Sequence, residues 1–185
     1  GLGVIGTALK WLGSYLSDRQ QVVSIGQAAS DPQALKCGVP QGSVLGPILF
    51  SVYTSSLGQL LRAHSVNYHF YADDSSLYLL FKPQDITTTV QRLEQCVVSV
   101  RQWMSKMSLK MNDSKTEVLL VSSKQLSKKI NCPSIAIGDQ HVEPGEVVRS
   151  IGVLLDKHAS MEEHISSVCK AAQYHLYNIR RIRKY

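Results

Sequence analysis

The 185 residues include only two tryptophans, three phenylalanines and four cysteines, and several diagnostic features are missing altogether. No run approaches the roughly 18 uninterrupted apolar residues that a membrane helix needs, so no membrane partner is expected. The first residue is Gly1 rather than Met, and no basic segment leads into an apolar core. The expectation is a fragment or processed piece without a signal peptide. Cys37, Cys96, Cys132 and Cys169 lie far apart, with no Cys-x-x-Cys and no histidine at zinc-finger spacing. His64, His69, His141, His158, His164 and His175 do not complete a metal set. Free thiols in a reducing compartment, nucleus or cytoplasm, are expected.

Hydrophobic residues make up 44% and charged residues 18%, a balance that excludes wholesale disorder. The length suits one compact domain, or one domain and part of a second. The net charge is +6, and its distribution matters more than its size. Lys170, Arg180, Arg181, Arg183 and Lys184 fall in the last sixteen residues with no acid among them. Fifteen basic residues then face fourteen acids in the rest, an excess of one. Such a terminal patch suits a phosphate backbone, or equally a solvated helix end whose cations complement the helix dipole.

Periodicity predicts a helix over 7–16, a strand over 19–28 and a turn at 30–32. Residues 38–47 are punctuated by Gly and Pro, and Pro47 opens a helix over 48–61. Residues 66–80 read as two strands around a turn at 72–74. Asp85 is an expected N-cap for a helix to Met107, with Val90, Leu93, Val97, Val100 and Met104 at helical spacing. A strand is expected over 116–121, a polar connection over 124–132, a hairpin over 134–142 and a strand over 147–155. A long helix follows from Ser160 into the basic end.

The sharpest chemical feature is Phe70-Tyr71-Ala72-Asp73-Asp74, two adjacent carboxylates at a hairpin tip. Their mutual repulsion calls for a counter-charge, which a divalent cation with oxygen ligands supplies. The plain alternative is a polar turn. The second feature is Gly38-Val39-Pro40-Gln41-Gly42-Ser43-Val44-Leu45-Gly46-Pro47, a tightly shaped loop before a helix start. Such loops let a backbone approach a ligand closely, or serve as simple connections. Trp11, Trp103, Tyr15, Tyr53 and Tyr78 read as core anchors rather than base-stacking platforms.

At this point the chain resembles the reverse transcriptase domain of LINE-type, non-LTR retrotransposons. Residues 38–47 are similar to that family's motif B, and Tyr71-Ala72-Asp73-Asp74 to motif C. Trp103-Met104 with Leu109, Asn112 and Lys115-Thr116-Glu117 resembles motif D, and Ser150-Ile151-Gly152-Val153 the primer-grip hairpin, motif E. His164-Ile165 and the following helix resemble the beginning of the thumb. Order and spacing agree over nearly the whole chain.

The resemblance implies an α+β fold: a right-hand polymerase palm, an antiparallel sheet with helices on one face, over 1–156, and the start of a thumb over 157–185. It implies two Mg²⁺ ions in the complete enzyme, held by Asp73 and Asp74, with RNA template, DNA primer and dNTPs as partners. Gln41, Gly42, Tyr71 and Ala72 would line the nucleotide and template site. Lys115 would protonate or screen the leaving pyrophosphate. Ile151, Gly152 and Val153 would grip the primer, and Lys170, Arg180, Arg181, Arg183 and Lys184 would hold phosphates.

The family's motif A supplies a third catalytic carboxylate. The acids upstream of residue 38 are Asp18 and Asp31, and neither has that motif's context. The fingers and motif A are therefore expected to be missing, the isolated chain inactive, and the palm core poor with an exposed sheet edge. Two other readings stay open: a non-catalytic nucleic-acid-binding or interaction remnant, and an expressed pseudogene.

Overall fold

The computed structural model describes residues 3–39 and 42–183. The chain divides into two compact units, residues 1–54 and 55–185. In the first unit, α1 (Gly6–Leu16) forms where periodicity placed it. The expected strand over 19–28 instead folds back on itself. β1 (Gln20–Gln21) pairs with β4 (Gln33–Ala34), and β2 (Ser24–Ile25) with β3 (Ala28–Ala29), as one nested hairpin. The reversal falls at Gly26, where φ is 62°, and not at 30–32. Ser30 lies in the ladder: its amide donates to Val23 O at 2.9 Å, and its hydroxyl accepts from the Val23 amide at 3.1 Å. Glycine takes the left-handed turn that Ser-Asp-Pro only suggested. Trp11 stacks on Tyr15 at 5.6 Å but is exposed, so Trp11 is not the core anchor expected.

α2 (Gly46–Ala63) carries Pro47 in its first turn and buries Leu57 and Leu61, one helical turn apart. In the second unit, β5 (Asn67–Tyr71) and β6 (Asp74–Tyr78) form an antiparallel hairpin. α3 (Ile86–Lys106) serves two cores from two sides. Cys96 and Val100 meet Leu57, Leu61 and Val66, with Tyr68, Phe70, Leu77 and Trp103 packed around them. Val90 and Val97 meet Ile135 and Ile137, with Met111, Val118 and Val142 around those. Asp85 stands at the start of α3 without capping it by its side chain. Its carbonyl accepts the Thr88 and Thr89 hydroxyls instead, at 2.9 and 2.8 Å.

The expected hairpin over 134–142 is β7 (Ile135–Ile137) and β8 (Gln140–Val142). Residues 116–121 do not form a strand; they make a single bridge, Leu119 to Gly145, and a bond from the Gly145 amide to Val118 O at 2.8 Å. Within 124–132 lies a short helix, α4 (Lys124–Ser127), whose Leu126 amide donates to Ser123 Oγ. The expected strand over 147–155 is two strands, β9 (Val147–Ser150) and β10 (Val153–Asp156), around Ile151-Gly152. α5 (Glu162–Ile182) follows. The fold is mixed α/β, with small antiparallel ladders and helices. Among the described residues each ladder has two strands, so no hairpin gains a third strand at either outer edge.

Candidate active site

The carboxylate hairpin is built from the inside. Along β5, Tyr68 and Phe70 face inward while Asn67, His69 and Tyr71 face outward, the strict alternation of a half-buried strand. Tyr68 and Phe70 stack with ring centroids 4.7 Å apart. Leu77 sits opposite Tyr68 across the ladder. This apolar face rests on Leu57, Leu61 and Val66. Tyr78, expected as an anchor, points to solvent instead, because its register partner Asn67 is also on the outer face. Tyr53, another expected anchor, is also exposed.

The last ladder pair is Tyr71 with Asp74, which leaves Ala72 and Asp73 as a two-residue turn. Ala72 takes φ of 53°, a left-handed conformation costly for a residue with a Cβ. The turn thus holds Tyr71, Ala72, Asp73 and Asp74 together at one exposed tip. Among the described residues the ion pairs are Arg101–Asp113 and Lys157–Glu146, so no side-chain cation neutralises Asp73 or Asp74. Two adjacent, exposed, oxygen-only donors fit a hard divalent cation such as Mg²⁺. They are two ligands and no more: no group of three metal-holding side chains occurs among the described residues.

Lys115 lies elsewhere in the same unit, at the end of a tight turn over Asp113–Lys115, and is exposed. The Lys115 amide donates to Asn112 O at 3.2 Å, the Thr116 hydroxyl to the same oxygen at 3.0 Å, and the Ser114 hydroxyl to Asn112 Oδ1 at 2.8 Å. Trp103 does anchor, as expected: it packs on the core, and its indole N–H donates to Ser56 Oγ at 3.1 Å. Ile151 and Gly152, with φ of 48° and 80°, form the tip of the β9–β10 hairpin, and Val153 begins its return strand. A two-residue turn with both φ positive matches the twist of such a hairpin. Gly42, with φ of 79°, is exposed in the first unit. Gln41 and Lys184 lie outside the described residues.

α5 presents Lys170, Arg180, Arg181 and Arg183 to solvent, and Arg181 lies 5.9 Å from the Tyr177 ring centroid. Its start is set by a residue the sequence reading passed over. Asp156, buried at the end of β10, accepts the Ser160, His158 and Met161 amides at 2.8–3.1 Å and the Ser160 hydroxyl at 3.1 Å. The Ser160 amide first, then those of His158 and Met161, hold its carboxyl down at about 2 against the cost of burial. An aspartate shortly before Ser at a helix start is the available signal. Arg101 and Asp113 were also passed over, since nothing in a sequence pairs positions twelve apart across a helix end.

Residues 4–175 match the family described as reverse transcriptase (RNA-dependent DNA polymerase), and the chain belongs to that family. Its likeness runs to mobile-element polymerases, in keeping with the LINE-type, non-LTR resemblance of its motifs. A probable RNA-directed DNA polymerase from transposon BS of Drosophila melanogaster is 29% identical over 174 residues, 91% of this chain and 19% of that protein. The RNA-directed DNA polymerase from mobile element jockey of the same fly is 26% identical over 163 residues, 85% of this chain and 17% of the relative. A probable polymerase from transposon X-element is 26% identical over 160 residues, again 85% and 17%. The chain spans less than a fifth of the length of these relatives. No solved structure matches it significantly.

Proposed function

We propose that this chain is the part of an RNA-directed DNA polymerase that runs from motif B to the start of the thumb. Residues 1–156 serve as palm and 157–185 begin the thumb. The observation that carries this reading is the exposed Asp73–Asp74 pair on a hairpin whose inner face is packed, in a chain of the reverse transcriptase family. Divalent metal held there supplies activation of a primer 3′-hydroxyl and neutralisation of the leaving pyrophosphate. Asp73 and Asp74 hold it, and Tyr71 and Ala72 shape the tip beside the primer end. Gly42 and Gln41 line the template and nucleotide. Lys115 donates a proton to the pyrophosphate or screens it. Ile151, Gly152 and Val153 support the primer, and the α5 cations with Lys184 bind duplex phosphates. The partners are an RNA template, a DNA primer and dNTPs, in a reducing compartment, nucleus or cytoplasm. No helix of the described residues is long and apolar enough to cross a membrane.

Two carboxylates make an incomplete two-metal site, so the 185 residues alone do not extend a primer. Primer extension on RNA with Mg²⁺ and dNTPs tests this; extension by the isolated chain would count against it. Placed in the matching segment of the transposon BS relative, the chain supports RNA-templated synthesis, and Asp73→Asn abolishes it. A second measurement does not depend on that chimera. Mn²⁺ broadens the Asp73 and Asp74 resonances of the isolated chain, and Asp73→Asn with Asp74→Asn removes the effect. An unbroadened hairpin overturns the metal assignment. The same experiments weigh a second reading, a nucleic-acid-binding remnant without catalysis, which the two-ligand site and the exposed basic α5 favour.

A further inference from the structure

The turn that carries Lys115 is tied down at one point by a charge from α3. Arg101 Nη2 donates to Asp113 Oδ2 across the end of the helix. The same guanidinium fills the space beside Gly138, the turn glycine of the β7–β8 hairpin. A Cβ at Gly138 would lie 2.5 Å from Arg101 Cζ and 3.0 Å from Nη1. Arg101 therefore touches two turns at once, and a side chain at 138 would have to displace its guanidinium. Met111 and Val118, flanking the Lys115 turn, pack on the same core as Ile135 and Ile137. The hairpin is held on α3 separately, by the Ala136 amide donating to Glu94 Oε1 at 2.8 Å. The turn is thus pinned at both flanks by apolar contacts and in the middle by one ion pair. That pair uses one prong only: Arg101 Nε and Asp113 Oδ1 are shielded from solvent and make no hydrogen bond.

We propose that Arg101, acting through Asp113, is the positioning residue that holds Lys115 in place to meet a triphosphate. This rests on the reading of Lys115 given above. An exposed lysine on a mobile turn samples many positions, and its attraction to a polyphosphate is spread over all of them. Fixing the turn concentrates the charge. Because one prong is used, lysine at 101 can replace arginine in part, whereas at a two-pronged site it could not.

The test uses the 185-residue chain with its lysines ¹³C-dimethylated, amide exchange measured in parallel, and inorganic triphosphate as the probe. In the wild type the Lys115 signal shifts saturably with triphosphate, and more than that of Lys128, a lysine away from this turn. Arg101→Gln and Asp113→Asn each speed amide exchange over 112–116 at least tenfold. Each weakens the Lys115 response at least fivefold while the Lys128 signal is unchanged. Arg101→Lys recovers most of both effects. Asp113→Asn keeps the Arg101 side chain beside Gly138, so it decides the matter if Arg101→Gln fails to fold. A triphosphate response that survives both variants overturns this inference alone, even if exchange accelerates. A wild-type Lys115 signal that ignores triphosphate overturns the assignment of Lys115 and this inference with it.

Discussion

The Tyr68 ring occupies the space that a side chain on residue 58 would need. A Cβ at Gly58 would lie 2.9 Å from Tyr68 Cζ. Arg62, one turn further along α2, donates to the Tyr68 hydroxyl and lies 5.9 Å from its ring centroid. Glycine at 58 and arginine at 62 thus make a notch on α2 that seats the inner face of the carboxylate hairpin. Asp73 and Asp74 lie at the exposed tip of the same hairpin.

Gly58→Ala brings two opposed effects. Alanine improves helix propensity by about 0.5–1 kcal/mol, while overpacking against the ring costs about 1–3 kcal/mol. The ring is held by Phe70 and Arg62, so overpacking wins and the variant is destabilised. Gly13, inside α1, has nothing within 4 Å of where its Cβ would be, and Gly13→Ala is expected to stabilise. Urea unfolding of both variants checks the contrast; equal signs would contradict it.

Asp156 makes stability depend on pH at the acid end. Its carboxyl is held at about 2 in the folded chain, against 3.8 ordinarily. A lowered folded value favours the folded state wherever the unfolded carboxyl is ionised. The contribution is therefore full above about pH 4, and is lost as pH falls through 2. Asp156→Asn lowers the melting temperature at pH 6 and flattens its fall between pH 4 and 2. A parallel fall in wild type and variant would refute the assignment.

The four thiols separate by burial. Cys37 and Cys169 are exposed and react first with a disulfide reagent. Burial pushes the thiol of Cys96 up, and burial and then Glu143 push up that of Cys132. Cys96, fully buried between α2 and α3, reacts only when the chain opens. Titration at pH 8 should show two fast thiols, a slower third and a fourth gated by unfolding. Fast labelling of Cys96 would mean that this core does not form.

The basic end of α5 is tested by salt. Each cation on a duplex phosphate contributes about 0.9 to the slope of log affinity against log salt. Replacing Arg180 and Arg181 by Gln should lower that slope for an RNA–DNA duplex by about 2 and weaken binding without regard to sequence. An unchanged slope would leave these cations as helix-end charges only.

Much of this protein could be read along the chain because the signals are local. Apolar spacing placed α1, α3 and α5, Pro47 placed α2, and Gly138-Asp139 placed the β7–β8 turn. Strand-forming residues on both sides of the expected turn at 72–74 gave the carboxylate hairpin, since adjacent strands and a tight turn need no distant partner; the structure narrows the turn to Ala72 and Asp73. The strand over 19–28 failed because Val22, Val23 and Ile25 favour extended backbone but carry no signal of the reversal that Gly26 makes just after them. That over 116–121 failed because a strand needs a neighbour, and Leu119 found only Gly145.

By itself, then, the sequence determined the family, the order of motifs and the presence of an adjacent acid pair. The tertiary structure alone decided that Tyr68 seats on Gly58, that Arg101 lies between Asp113 and Gly138, and that Asp156 gathers the start of α5. These contacts join residues through space that share no period, and each depends on the shape left by side chains on another element. Close packing sets such distances, and a linear pattern does not encode them.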